Sequence, residues 1–448
     1  MPDAWEPAKL GDLLGPKGYI RGPFGSALRR NELLTDGVPV YEQQHAIEHS
    51  RDFRFFISAS KHAQMKRFTV QPHDVIVSCS GTIGRVSVIM PDDPIGIISQ
   101  ALLILRPDTK KLDPYYLNYF LSSRDGINSI TSRSTGSVQV NIAKRQIIES
   151  IELAAPPVDE QREIVSVLGS LDDKIEQNRR TGRKLEELAR AVFKAWFVDF
   201  GPVKAKAAGA TAFPGMPPET FATLPNTLKD SPLGPVPQGW EIKAATDVAY
   251  VAIGKTPPRK EPQWFSTNPS DVRWVSISDM GSCGMFIRDT SEYLTAAGIE
   301  RFNVRRIPDR SVLFSFKLTV GRVVIVDGET TSNEAIAHFV PMTPDAVGTE
   351  YLYCYLSSFD HAQLGSTSSI ATATNSKAVK AMPVLVPDAA TATGFTSTVR
   401  PLFDMIRSLS RESAKLATLR DYLLPRLLSG RVRVGKSTAR PQEVQRAC

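Results

Sequence analysis

The chain carries the same apolar pattern twice. Residues 164–196 and 395–427 each place apolar side chains at alternating spacings of three and four residues, and one constant offset relates the two rows. This spacing is typical of a helix that buries one narrow stripe against another helix. Two such helices in one chain can bury each other. The residues that we expect at the helix–helix contact are Ile164, Leu168, Leu171, Ile175, Leu185, Val192, Val399, Leu402, Ile406, Leu416, Leu423 and Leu427.

Two residues within these segments affect how the helices form and pair. Asn178 either fixes the register of the helix pair, as a lone Asn in such a stripe often does, or marks a solvated break. Pro401 lies inside the second row and predicts a kink or a later start of the second helix, because proline cannot donate a helical hydrogen bond.

The repeat also extends upstream of the helices. Trp5 matches Trp240, the tripeptide Gly-Arg-Val occurs at 84–86 and 321–323, and Leu-Ser-Ser occurs at 121–123 and 356–358. Each half is therefore interpreted as a globular segment of about 150 residues, large enough to bury its own core, followed by a long helix. In the first segment, short apolar runs between turn clusters predict mainly strands, with one helix near Pro114–Ser122.

Helix boundaries and composition changes predict the domain limits. Two prolines at 156–157 stop a strand, acidic residues follow in the first helical turn, and Gly201-Pro202 ends the helix. We predict strand-rich domains at 1–155 and 233–386, long helices at 156–202 and 387–435, a linker rich in Ala, Pro, Gly and Thr at 203–232, and a flexible tail at 436–448.

Composition restricts the function classes. The formal net charge of +7 is compatible with a polyanionic partner without demonstrating one. Four cysteines lie far apart without a C-x-x-C pair, which argues against a disulfide framework or a zinc site. The sequence shows neither a secretory leader nor 18 consecutive apolar residues, so we expect a cytoplasmic protein.

Four phrases of the sequence resemble one known family. They are PPVDEQREIVSVLGSLDDKIEQN at 156–178, LARAVFKAWFVDFGPV at 188–203, LGPVPQGWEI at 233–242 and LLPRLLSGRVRV at 423–434. Their order is similar to that in the specificity (S) subunit of type I restriction-modification systems, and the resemblance covers nearly the whole chain. It implies an α+β fold with two strand-rich target recognition domains, each followed by a long helix. The two helices would pack as an antiparallel coiled coil with pseudo-twofold symmetry.

The resemblance also implies a function and partners. Each domain would read one half of a bipartite target in double-stranded DNA, and two methylase (M) subunits would dock on the helices for adenine methylation. Restriction/motor (R) subunits, which cleave unmodified DNA, are possible further partners. S-adenosylmethionine, ATP and Mg would belong to those partner subunits, so the resemblance implies a non-catalytic chain that binds no cofactor or metal.

Candidate DNA-binding residues are polar or basic side chains beside glycines. Arginine and lysine would bind phosphate or guanine, and amide side chains have the geometry for adenine. For any single residue a solvated loop is the competing interpretation. The candidates are Arg21, Arg29, Arg30, Gln43, Gln44, Thr82, Arg85, Arg133, Gln139, Asn141, Lys144, Lys255, Arg259, Lys260, Lys317, Thr319, Arg322, Asn375 and Lys377.

Two other function classes compete with DNA recognition. Asp92, Asp108 and Lys110 are spaced like the acids and lysine of a magnesium-dependent nuclease, which would be duplicated here. However, Pro107 would interrupt the required strand, and the second half does not keep the acids. A structural coiled-coil adaptor would not need the two strand-rich segments.

Three local patterns imitate catalytic motifs. GRVRVGKS at 430–437 matches the phosphate-loop expression but follows a helix at the C-terminus, where no second helix can form. DPYY at 113–116 is better explained as a helix start with Pro114 in its first turn. His45 and His49 are four residues apart without a carboxylate motif, and we expect surface or loop histidines.

Overall fold

The computed structural model describes residues 5–24, 28–131, 144–342, 347–360 and 375–435. The chain forms two compact units: the first comprises residues 1–174 and 415–448, and the second comprises residues 175–414. Each unit contains one strand-rich segment and a part of both long helices, because the division falls inside the helices.

The first unit is built around a four-stranded antiparallel sheet with the strand order β2-β8-β5-β6, beside a three-stranded sheet with the order β4-β3-β7. Its strands are β1 (Pro7–Lys9), β2 (Leu14–Arg21), β3 (Val38–Tyr41), β4 (Phe56–Ile57), β5 (Val75–Ser78), β6 (Val86–Val88), β7 (Ile97–Ile98), β8 (Leu102–Pro107) and β9 (Glu152–Ala154). Its helices are α1 (Leu10–Leu13), α2 (Gln43–Ile47), α3 (Ala59–Gln64), α4 (Pro114–Ser122), α5 (Arg124–Thr131), α6 (Arg145–Glu149) and the start of α7 (Val158–Phe193).

The second unit repeats this arrangement with a five-stranded sheet, β13-β21-β18-β19-β16, and a four-stranded sheet, β14-β17-β15-β20. Its strands are β10 (Leu228–Lys229), β11 (Val236–Pro237), β12 (Glu241–Ala244), β13 (Ala249–Ile253), β14 (Phe265–Ser266), β15 (Val272–Val275), β16 (Phe286–Ile287), β17 (Glu292–Leu294), β18 (Val312–Ser315), β19 (Val323–Val326), β20 (Thr331–Ser332), β21 (Ile336–Pro341) and β22 (Pro383–Val386). Its helices are α8 (Gly201–Ala207), α9 (Pro218–Thr223), α10 (Ala245–Val248), α11 (Ile277–Ser282), α12 (Ala296–Phe302), α13 (Thr349–Ser358), α14 (Ser376–Lys380) and most of α15 (Ala389–Leu428).

The strand order confirms the internal repeat. The order β2-β8-β5-β6 in the first unit corresponds to β13-β21-β18-β19 in the second. A short antiparallel pair also lies just before each long helix, formed by β1 with β9 and by β12 with β22. Hence the two halves share a fold as well as a sequence pattern, and the α+β class is confirmed.

Both central sheets are buried on two faces. In β5, Val75 and Val77 join the cluster on the side of α4, whereas Ile76 joins a cluster on the other face. In β18, Val312 lies in one cluster and Leu313 in another. This alternation follows from the strand geometry, in which successive side chains point to opposite faces.

Helix α4 begins and ends where the sequence predicts. The Asp113 carboxylate accepts hydrogen bonds from the backbone N–H groups of Tyr115 at 2.9 Å and Tyr116 at 3.1 Å, and Pro114 occupies the first turn. The cap satisfies N–H groups that have no helical acceptor, and the proline lacks one.

The end of the first long helix differs in detail from the prediction. After Phe193 the chain forms a π-helical turn, Lys194–Val198, and Phe200 adopts a left-handed conformation with φ 52°. Gly201 and Pro202 then begin α8 instead of only ending α7. Pro202 fits there because the first turn of a helix has no acceptor for its missing N–H.

Residues 203–232, predicted as a linker, carry two short helices and contribute to the core of the second unit. Val203, Phe221 and Leu224 are buried in its main hydrophobic cluster. The Lys206 ammonium donates to the carbonyl oxygens of Ala222 at 2.7 Å and Leu224 at 2.6 Å, which closes this segment on itself.

Pro401 does not delay the second long helix. Helix α15 begins at Ala389 and continues to Leu428, so the expectation of a later start is wrong. The helix tolerates the lost hydrogen bond because its apolar face, including Val399 and Phe403, is fully buried in the core of the second unit.

Candidate nucleic-acid interface

The long helices pair in an antiparallel manner within each unit. In the first unit, Ile164 and Leu168 of α7 share a buried cluster with Leu427 of α15. The Arg420 guanidinium donates to the Asp172 carboxylate at 2.7 Å. The early part of α7 therefore contacts the late part of α15.

In the second unit the later part of α7 contacts the earlier part of α15. Phe193 and Trp196 pack edge-on against Phe395, with ring centroids 5.8 and 6.0 Å apart. Asn178 is 2% exposed, and its amide donates to the Glu412 carboxylate at 2.8 Å. Asn178 is thus a buried, paired residue and not a solvated break.

The expected helix–helix residues differ in burial. Ile164, Leu168, Ile175, Val399, Ile406 and Leu427 are buried, and the partly buried ones are Leu171, Leu185, Val192, Leu402, Leu416 and Leu423.

Helix α15 is also bound to the second domain by buried carboxylates. Arg407 and Arg411 donate to Asp327, which follows β19, at distances of 2.6–3.0 Å. Burial alone would raise the pKa of Asp327, but the hydrogen bonds from Arg411 and Arg407 outweigh it and lower the pKa to about 2. Glu350 of α13, which is fully buried, pairs in the same way with Arg310 and Arg400. These ion pairs fix the helix relative to the strand-rich domain of the second unit.

The repeated Gly-Arg-Val sequences form two hairpin loops with the same hydrogen bonds. In the first, the Ser78 hydroxyl donates to the Thr82 carbonyl at 2.6 Å and accepts from the Arg85 N–H at 2.9 Å. In the second, the Ser315 hydroxyl donates to the Thr319 carbonyl at 2.5 Å and accepts from the Arg322 N–H at 2.9 Å. The serine in each loop therefore holds the glycine turn closed, which explains why the sequence is repeated.

The arginines of these two loops have different environments. Arg85 is exposed, and its side chain has no hydrogen bond or ion pair to any residue that the structure describes. Arg322 is half-buried and donates to the Ile277 carbonyl at 2.6 Å. Arg85 is therefore available to a ligand, whereas Arg322 mainly stabilises its own domain.

Several other candidate residues are used inside the protein. The Gln43 amide donates to the carbonyls of Ser80 at 2.5 Å and Thr82 at 3.2 Å. The Asn375 side chain caps α14 by accepting from the Ala378 N–H at 2.7 Å. Arg259 forms a bidentate pair with Glu292. These contacts give each of the three side chains a structural role that does not require DNA binding.

The remaining candidate residues are half-buried, exposed, or outside the described residues. Gln44 is half-buried and donates to the Asp52 carbonyl at 3.3 Å. Arg21 and Lys317 are half-buried beside aromatic rings. Exposed candidates are Arg29, Arg30, Thr82, Lys144, Lys255, Lys260, Thr319 and Lys377. Arg133, Gln139 and Asn141 lie outside the described residues.

Sequence reasoning missed one residue of the second hairpin loop. Leu318 is the most exposed large apolar side chain among the described residues, at 77%, and its backbone is left-handed with φ 64°. A search for polar and basic residues beside glycines could not find it. The signal was the alignment of the two loops, which places Leu318 opposite Gly81.

The catalytic imitations gain little from the structure. The Asp108 carboxylate accepts from the Lys110 N–H at 3.1 Å within a turn, which explains that pair locally. In the described ranges no three His, Cys, Asp or Glu side chains are grouped to hold a metal ion. The helix that a phosphate loop needs would follow Gly435, and residues 436–448 lie outside the described residues.

The histidine expectation requires one correction. His45 is completely buried, its Nδ1 lies 2.7 Å from the Glu42 N–H as an acceptor, and its ring stacks on Phe53. It is a core residue because α2 packs against the sheet, and the sequence pattern of α2 was too short to reveal this.

Comparison with known proteins identifies the family. The model of the type I restriction modification DNA specificity domain matches residues 2–187 and 237–394. This chain belongs to that family. The two matches, one in each half, fit a target in two parts, and this specificity subunit recognises DNA for a type I restriction-modification complex.

Individual relatives agree with this assignment. The HindI specificity subunit of Haemophilus influenzae is 28% identical over 75% of this chain and 81% of its own length. The MjaIX specificity subunit of Methanocaldococcus jannaschii is 24% identical over 71% of this chain and 69% of its own length. The type I S subunit from M. genitalium has the same fold, with a TM-score of 0.52 at 14% identity over 95% of this chain and 96% of that one.

Membership in the family implies that the specificity subunit has DNA and other subunits as partners. Within the described residues no helix is both long enough and apolar enough to span a lipid bilayer.

Proposed function

We propose that this specificity subunit is non-catalytic and selects the sites at which two methylase subunits modify adenine. Its first domain would read one half of an interrupted sequence in double-stranded DNA and its second domain the other half. The observation that carries the proposal is the internal repeat, because one fold with two different sets of loop residues presents two different reading surfaces in one chain.

The repeat also supports the number of methylase subunits. The second apolar row is the first row displaced by a constant offset, so Ile164 corresponds to Phe395 and Trp196 to Leu427. Ile164 shares a cluster with Leu427, and Trp196 packs on Phe395. Each end of the helix pair is thus built from equivalent positions. Two equivalent surfaces suit two identical partners.

Two of the cysteines are poor candidates for a catalytic nucleophile, in line with a non-catalytic subunit. Burial raises the pKa of the Cys79 thiol to about 12 and that of Cys283 to about 11, so neither thiol would be a nucleophile at neutral pH. We assign S-adenosylmethionine to the methylase subunits, and ATP and Mg to the restriction/motor subunits where these join. The complex would work on DNA in the cytoplasm.

The test is to co-express the chain with its methylase subunit and map methylated adenines across a host genome. We expect an interrupted motif with two short halves; methylation without sequence preference would reject the proposal. Replacing residues 1–155 by the matching domain of a relative should change one half of the motif only. If both halves change, the two domains do not read separately.

A separate experiment tests the competing hypothesis that this chain is a magnesium-dependent nuclease. Incubating the purified chain alone with DNA and Mg²⁺ should leave the DNA intact. Cleavage that Asp108→Asn abolishes would instead assign a magnesium nuclease to this chain, because two acids must hold that ion.

A further inference from the structure

Leu318 lies at the tip of the hairpin loop between β18 and β19, where both its solvent exposure and its backbone conformation are unfavourable. Its side chain is 77% exposed, and its backbone has φ 64°. A side chain with a Cβ atom is strained in this region, and residues held there often have a function. Among the other non-glycine residues with positive φ, the apolar Phe200 packs against the core of the second unit. Leu318 has no such compensation.

The equivalent loop of the first domain carries no leucine at this position. The corresponding residue is Gly81, with φ 63°, for which the conformation is free of strain. A Cβ atom at Gly81 would lie 3.2 Å from the Gln43 amide nitrogen, so that loop has little room for a side chain. The leucine is therefore a feature of the second domain alone and is not required by the loop itself.

Contacts on both sides of Leu318 order the backbone of the loop. On one side Ser315 bonds to the Thr319 carbonyl, and the Gly321 N–H donates to the Ser315 carbonyl at 3.0 Å. On the other side the buried Phe316 anchors the chain, and the Lys317 ammonium lies 5.4 Å from its ring. Because the backbone of the loop is already ordered, little backbone entropy is lost when Leu318 contacts a ligand.

The charges around the tip suit a polyanion. Residues 316–322, with the sequence FKLTVGR, contain no acidic residue, and Lys317 lies directly beside Leu318. Because Arg322 donates to the Ile277 carbonyl oxygen, Lys317 is the cation of this loop that can meet a phosphate. Exposed apolar side chains flanked by basic residues are used by DNA-bending proteins as wedges between base pairs, where they unstack one step while the basic residues hold the phosphates. Contact with a protein partner would not need this charge pattern.

We propose that Leu318 inserts between two adjacent base pairs of the half-target read by the second domain. The inference rests on the proposed function, since it requires that this domain lie on DNA. Because the first domain has Gly81 at the equivalent position, we expect this leucine wedge in one half of the target only.

The direct test uses the complex with its methylase subunits and a duplex that carries the mapped motif. 2-Aminopurine is placed at each position of both half-targets in turn, since its fluorescence rises when it is unstacked. The target adenines and their neighbours are left out, because the methylase subunits flip the target base in both halves. At the remaining positions we expect an increase of severalfold at one step, only in the half assigned to the second domain. No increase at any of these positions in that half would overturn the proposal.

Variants identify the residue responsible. Leu318→Asn tolerates the left-handed backbone but is polar, and we expect it to abolish the fluorescence increase and lower the methylation rate at limiting DNA about tenfold. Leu318→Met keeps an apolar wedge and should retain both signals. Leu233→Asn is the control, because it removes another exposed leucine, 40% exposed, from the same unit.

Further measurements distinguish insertion into DNA from a protein contact, a structural role and a failure of the proposed function. Loss of the methylase from the purified complex with Leu318→Asn would make Leu318 a protein contact and overturn the proposal. A lowered melting temperature would make it a structural residue; we expect no change or a rise of about 2 °C, because strain is relieved. If the wild-type complex shows no motif at all, the proposed function itself fails, which is seen before any variant is made.

Discussion

Asp327→Asn should weaken the attachment of helix α15 to the second recognition domain and lower the stability of the second unit. Asp327 is nearly fully buried and accepts from Arg407 and Arg411. Lowering its pKa from 3.8 to about 2 corresponds to about 2.5 kcal/mol of preference for the folded state at neutral pH. The amide keeps the shape but removes the charge. We therefore expect the free energy of unfolding to fall by about 2–3 kcal/mol, which is about 4–9 °C in melting temperature for a unit of this size.

The assay is thermal unfolding followed by tryptophan fluorescence. Four of the five tryptophans, at positions 196, 240, 264 and 274, belong to the second unit, so the signal reports mainly on that unit. Glu176→Gln is the control. Its carboxylate is exposed and pairs on the surface with Arg180, so the change should cost less than about 0.5 kcal/mol.

The pH dependence gives the stricter test. Because the folded-state pKa of Asp327 is lowered, its contribution is fully present above pH 3.8 and is lost as the pH falls through 2. The difference in stability between wild type and Asp327→Asn should stay constant from pH 7 to 5 and shrink to about half near pH 3. A difference that persists unchanged at pH 3, or a variant as stable as wild type at pH 7, would refute the role of the charge.

Four further substitutions test other parts of the structure. Arg85→Ala should weaken binding to the mapped motif about tenfold in a DNA-binding titration, at unchanged melting temperature. Arg322→Ala should instead lower the free energy of unfolding by about 1–2 kcal/mol. The reverse pattern would contradict the assignment of Arg85 to ligand binding and of Arg322 to stability. Asn178→Ala should cost about 1–1.5 kcal/mol in urea unfolding, because it removes the hydrogen bond that the buried Asn178 amide donates to the exposed Glu412 carboxylate, and a neutral result would exclude a paired role. Gly394→Ala should cost about 1–3 kcal/mol by the same assay, since its Cβ would lie 2.1 Å from the Thr220 hydroxyl; an unchanged midpoint would show that α9 does not pack on α15.

The sequence predicted the elements whose signal is local. The 3,4 spacing gave both long helices, and a capping aspartate followed by proline gave α4 at Pro114–Ser122. Helix periodicity and caps depend on residues within a few positions of one another, so a single chain displays them directly. The repeat also made the two-domain fold predictable, because any local pattern could be checked against its second copy.

The tertiary structure alone decided which polar side chains are free. Gln43, Arg322 and Asn375 look like DNA-reading residues in the sequence, yet each bonds to the protein. The partners of Gln43 and Arg322 lie more than 35 residues away along the chain, and no local spacing encodes such a contact. Leu318 shows the converse, since its exposure and left-handed backbone became visible only when the loop was folded. Periodicity fixes which face of an element is apolar, whereas the pairing of individual donors and acceptors depends on which distant segments the core brings together.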